Sequence, residues 1–167
     1  MDNRPIGVFD SGLGGLTAVR QLMAQMPHED IIYFGDTGRV PYGGRSQETI
    51  LKYTRQDINF LMQFDIKAIV IACNTATAAA IEQVRALDPS VPVIGIRPAV
   101  LQAAAAGSRR ILVLATASTL ASKTYAEQLT QLVQSLPLEE RLGSLHKQGV
   151  PLDFVLACLR SKDAVLK

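Results

Sequence analysis

The sequence predicts an α/β fold, a parallel sheet with helices on both faces. Three observations carry this reading. Short apolar runs alternate with longer helical patterns along the chain. The run at 68–72 is apolar throughout, as a strand buried on both faces requires. A glycine-rich turn at 10–15 joins the first apolar run to the first helical pattern. In open α/β sheets, ligands sit at such carboxyl ends of strands.

The elements follow in order. Residues 6–9 read as a strand and 16–26 as a helix. Residues 31–34 read as a second strand, followed by a Gly- and Pro-rich loop at 35–45. Ser46, with Thr49 three positions on, opens a long helix to about Phe64, with Ile50, Tyr53, Leu61 and Met62 facing inward. The strand at 68–72 leads into a helix at 75–87, which Asp88-Pro89 ends. A strand is expected at 91–96 and a helix at 98–106, stopped by Gly107. A strand at 111–115 and a helix at 119–136 repeat the rhythm, then a helix at 138–148 and a strand at 152–157. Val70-Ile71-Ala72-Cys73 matches Val155-Leu156-Ala157-Cys158, and residues 4–9 align loosely with 109–114 at a different offset. Two related halves, the second short of a segment, would produce this pattern.

Composition narrows the classes. The chain has 167 residues, enough for one domain or one and part of a second. Hydrophobic residues are 48% and charged residues 19%, which gives a core and excludes disorder. The formal charge of +2 comes with no basic block, and aromatics are only 5% with no Trp. Neither a nucleic-acid surface nor a membrane surface is indicated. Two cysteines make no disulfide framework. No apolar stretch reaches the ~18 residues of a membrane span, and the opening residues lack a signal-peptide layout. The expected setting is cytoplasmic, where thiols stay reduced.

Candidate chemistry sits at strand ends. The turn Asp10-Ser11-Gly12-Leu13-Gly14-Gly15 opens a helix whose N–H groups suit a carboxylate or phosphate, or serves only as a capping turn. Dinucleotide binding competes, since Gly12-x-Gly14 begins that fingerprint and Asp36 lies near the end of the second strand. Thr17 stands where its third glycine belongs, and Asp36 leads into a Pro-Tyr-Gly-Gly loop. Cys73-Asn74-Thr75 ends one strand and opens the next helix, whose positive end favours thiolate over thiol. The bland alternative is a buried, inert cysteine. Cys158 reads either as core filler on a helix from Asp153 or as a strand end mirroring Cys73. His28 and His146 have no metal-ligand spacing to either cysteine, no Gly-x-x-x-x-Gly-Lys phosphate loop is present, and Lys67 and Lys123 read as surface residues.

Three ordered motifs resemble glutamate racemase, of the aspartate/glutamate racemase superfamily. They are residues 6–17, the pair Tyr33-Phe34-Gly35-Asp36-Thr37 and Val40-Pro41-Tyr42-Gly43, and Ile71-Ala72-Cys73-Asn74-Thr75-Ala76-Thr77. The resemblance covers residues 5 to about 96; beyond it, Thr116, Thr119, Ser122 and Tyr125 are similar to further family elements. It implies two pseudo-symmetric racemase-like halves, residues 1–97 and a partial 98–167. It implies interconversion of L- and D-glutamate for peptidoglycan synthesis by two cysteines, without pyridoxal phosphate, metal or other cofactor. Removing an α-proton and returning it on the opposite face needs one base per face. The resemblance places Cys73 and Cys158 in those roles. It makes Asp10, Ser11, Tyr42, Gly43, Asn74 and Thr75 substrate-binding residues, with glutamate as the small-molecule partner.

The second half departs from the family pattern. Its second cysteine motif reads Gly-Cys-Thr-His-Tyr-Pro, whereas here Cys158 is followed by Leu159-Arg160-Ser161. The segment between Tyr125 and Cys158 is shorter than in the family, and the chain stops soon after. Racemisation by this chain alone is therefore expected to be weak or absent. The alternatives are a catalytically impaired module binding an amino acid or other carboxylate, and a racemase of another acidic amino acid. A sheet edge and apolar surface left uncovered by a missing segment would offer a place for association into a homo-oligomer, while oligomeric state itself is not readable from the sequence.

Overall fold

The computed structural model describes residues 2–97, 99–107, 111, 113 and 115–135. Cα proximity divides the chain into two compact units, the first holding residues up to Arg97 together with Thr116–Thr119.

The first unit is built on a parallel sheet. Its strands are β1 (Ile6–Asp10), β2 (Ile31–Gly35), β3 (Ala68–Ile71) and β4 (Val93–Gly95), in the order β2-β1-β3-β4. In register, Ile6 lies beside Ile31 and Ala68, and Ile69 beside Val93. Helices α1 (Leu16–Gln25), α2 (Gln47–Met62) and α3 (Asn74–Arg85) connect them.

Two-residue periodicity sorts the strand side chains between faces. Ile6 and Val8 of β1, with Ala68 and Val70 of β3, meet Ala18, Val19 and Leu22 of α1. Phe9, Ile69 and Ile71 turn the other way, into a core with Ile50, Ile58 and Leu61 of α2 and Ala76, Ala80 and Val84 of α3. Helices thus cover both faces, as expected. Tyr53 and Met62 pack against that second core as well. Val93–Gly95 is shorter than the expected 91–96, because Pro92 has no N–H for the ladder and only its carbonyl serves Ile69.

The strand order places the topological switch between β1 and β3. There α1 leaves to one face while α2 and α3 occupy the other, and the carboxyl ends of β1 and β3 are where open α/β sheets place a ligand. Asp10 ends β1, and Cys73 follows β3 as the N-cap of α3.

Helix α4 (Val100–Ala105) packs against α6 (Lys123–Ser135) in the second unit. The single helix expected at 119–136 is instead α5 (Ala117–Leu120) and α6. Side-chain caps divide it, since the Thr119 N–H donates to Thr116 Oγ1 and the Tyr125 N–H to Ser122 Oγ. The expected strand at 111–115 falls partly outside the described residues. The helix at 138–148, the strand at 152–157 and Cys158 lie outside them.

Candidate active site

The site forms at the carboxyl ends of β1 and β3. Asp10 shares the strand parity of Ile6 and Val8, so its side chain turns towards α1. Its Oδ2 accepts from the Gly12 N–H at 3.2 Å and from the Gly15 N–H at 2.9 Å. The carboxylate therefore folds the turn around itself. A Cβ on Gly15 would come within 2.7 Å of Asp10 Cβ and 2.9 Å of Ala72 Cβ, so glycine is needed for this approach. The Tyr33 hydroxyl donates to the Gly12 carbonyl at 2.7 Å and ties the turn to β2. Burial and the nearby Asp10 charge push the Tyr33 hydroxyl above the ordinary phenol range, which keeps it a donor.

Cys73 lies across from this turn. Its Sγ is 3.2 Å from Ser11 Oγ and accepts the Ala76 N–H at 3.4 Å. The side chain is buried. Sulfur thus sits at the first turn of α3 with a main-chain donor on one side and a hydroxyl, able to donate or accept, on the other.

Asn74 is exposed and Thr75 is buried. Thr75 Oγ1 is 3.0 Å from Thr116 Oγ1, which in turn is 3.1 Å from Thr119 Oγ1. Thr116 also closes on Gly43, where a Cβ would meet its Cγ2 at 2.6 Å. Thr75, Thr116 and Gly43 are thus joined through short contacts, and Thr75 lies two positions along the chain from Cys73, which touches Ser11.

Tyr42 is oriented differently from a ligand-facing aromatic. Its ring is buried in the core against Phe9 and Tyr53. Its hydroxyl is 2.5 Å from Asp36 Oδ2 and 2.9 Å from Asp57 Oδ2. Arg39 lies beside the same carboxyls, with Nε 2.7 Å from Asp36 Oδ2 and Nη2 2.5 Å from Asp57 Oδ1, and stacks over the Tyr53 ring. Burial, and then the two carboxyls, hold the Tyr42 hydroxyl far above the ordinary phenol range. The side chain is thus committed to the core and to the two carboxyls.

Asp36 is therefore held by Tyr42 and Arg39. Asp57 belongs to no sequence motif; it follows Ile50 and Thr54 and adjoins Ile58 on the buried face of α2. A carboxylate on an apolar helix face was the signal available. Among the described residues, no group of three His, Cys, Asp or Glu side chains is placed to hold a metal ion.

The profile of the Asp/Glu/Hydantoin racemase family matches residues 16–156. The chain belongs to this family. Among curated members, the glutamate racemase of Streptococcus sanguinis is 49% identical over 144 residues, covering 83% of this chain and 53% of that protein. Similar solved structures include glutamate racemase from Francisella tularensis in complex with D-glutamate. That structure has a TM-score of 0.65 at 46% identity, covering 79% of this chain and 50% of the other. Glutamate racemase from Campylobacter jejuni has a TM-score of 0.69 at 34% identity, covering 92% and 64%. The chain spans about half the length of the curated relatives it matches. Among the described residues, no helix is long and apolar enough to cross a membrane.

Proposed function

We propose that this racemase-family chain binds glutamate at the carboxyl ends of β1 and β3 and that Cys73 transfers the substrate's α-proton. The supporting observation is the placement of Cys73 Sγ, 3.2 Å from Ser11 Oγ, at the first turn of α3. The Ser11 hydroxyl, the main chain of Tyr42 and Gly43, and the Asn74 and Thr75 side chains serve the ammonium and carboxylate groups. Asp10 holds the turn that carries Ser11. In one direction the Cys73 thiolate takes the α-proton and becomes a thiol. The carbanion then receives a proton on its opposite face from a second thiol, which becomes the thiolate. Cys158 is the second thiol of this reading. The steps balance without an external oxidant or a cofactor. The setting is cytoplasmic, and the product D-glutamate serves peptidoglycan synthesis. The division into residues 1–97 and 98–167 gives each half one cysteine.

Leu159 and Arg160, in place of the family's Thr-His, favour a second reading. In it the first half binds glutamate and exchanges its α-proton on one face only, or binds without exchange. Polarimetry of L-glutamate with the purified chain tests the first reading. Optical inversion that disappears in Cys73→Ser and in Cys158→Ser supports the two-cysteine reaction. No inversion, with glutamate still bound, supports the second.

A further inference from the structure

The cluster around Tyr42 joins the core of α2 to the segment that faces Thr116. We propose that Asp57 is a positioning residue, which acts through the Tyr42 hydroxyl to hold the Tyr42–Gly43 main chain in its substrate-binding place. This rests on the glutamate-binding reading above.

The geometry specifies a proton count. Tyr42 has one hydroxyl hydrogen but faces two carboxyl oxygens, at 2.5 and 2.9 Å. One hydrogen serves one contact. The other contact is completed when a carboxyl donates to the phenol oxygen. With one such proton, the cluster carries one carboxylate against the Arg39 guanidinium and is neutral. That is the favourable state for a buried site. Burial, followed by the neighbouring Asp36 charge, raises the Asp57 carboxyl above its ordinary value, which agrees with Asp57 carrying the proton. Asp36, Arg39 and Tyr42 are the titratable groups that act on it.

The path to the site is short. Asp57 meets Tyr42, and the next residue, Gly43, abuts Thr116, which meets Thr75 beside Asn74 and Cys73. The Tyr42 carbonyl accepts the Arg45 N–H at 2.9 Å, closing the turn. Exchange of the Arg45 amide therefore reports whether the turn is held.

The test compares the full chain with Asp57→Asn and Asp57→Ala. Asn supplies an N–H to the phenol oxygen in place of the protonated carboxyl, whereas Ala supplies nothing. Asp57→Ala is expected to speed Arg45 amide exchange about tenfold and weaken D-glutamate binding by about fivefold or more. Asp57→Asn is expected to stay within about twofold of the unchanged chain in both. Should Asp57→Ala fail to fold, Tyr42→Phe carries the same expectation, since it keeps the ring and removes the shared hydroxyl. An alanine variant matching the unchanged chain, or an asparagine variant as disrupted as alanine, overturns the proposal. If the unchanged chain binds no D-glutamate, the glutamate reading fails, and Arg45 exchange alone decides whether Asp57 holds the turn.

Discussion

Ser11 Oγ lies 3.2 Å from Cys73 Sγ, although the two residues come from different strand ends. The pair exists because β1 and β3 are neighbours in a parallel sheet, in register from Ile6 beside Ala68 to Phe9 beside Ile71. Each strand ends one or two residues before its polar group. The contact brings a hydroxyl to the sulfur that the proposed reaction uses.

Removing the hydroxyl should weaken proton transfer while leaving the fold intact. Ser11→Ala is expected to slow α-proton exchange about tenfold, with an unchanged unfolding midpoint in urea. Equal exchange rates would show that Ser11 does not assist Cys73.

Gly15 is a packing position. Gly15→Ala drives a Cβ into Asp10 and Ala72 at distances below 3.0 Å, and both neighbours belong to the sheet layer. The expected cost is about 1–3 kcal/mol of stability, read from urea unfolding. Asp10→Ala removes the acceptor for two turn N–H groups and should cost about 0.5–2 kcal/mol.

Gly43 tests the site's opposite wall. Gly43→Ala places a methyl 2.6 Å from Thr116 Cγ2. Titration calorimetry should show D-glutamate affinity falling about tenfold, a loss of about 1.4 kcal/mol. Unchanged affinity would place the substrate away from this loop.

Asp57 gives stability a pH dependence of defined sign. Its carboxyl is raised above the ordinary 3.8 in the folded chain, first by burial. Between the ordinary and the raised value the folded chain holds more protons than the unfolded one. Its contribution to stability is therefore present below the ordinary value and is lost as pH rises through the folded one. Urea unfolding between about pH 4 and about pH 8 should show this decline, and Asp57→Asn should flatten it. The same slope in both chains would assign it to other groups.

Much of the site was legible because it depends on local sequence. The apolar run before Cys73 and the helix after it fixed a strand-to-helix junction, and the structure makes Cys73 the α3 N-cap. Asp10 and Gly15 were legible for the same reason. The Tyr42 side chain was not, because an aromatic between proline and glycines looks exposed until its partners Asp36 and Asp57 are known. Asp57 lies fifteen positions from Tyr42 in sequence, and no local pattern connects them. The break between α5 and α6 has no clear local signal, because Ser122 sits among residues that favour a continuous helix; its bond to the Tyr125 N–H reveals the cap. Thr116 emerged as a neighbour of Thr75 and Gly43 only once the chain was folded.

The central claim is that Cys73 moves the α-proton of glutamate bound between β1 and β3. Proton NMR of glutamate incubated with the chain in deuterium oxide tests it most directly. The account predicts that the α-proton signal decays with the unchanged chain and persists with Cys73→Ser. Decay at the same rate in both would contradict it.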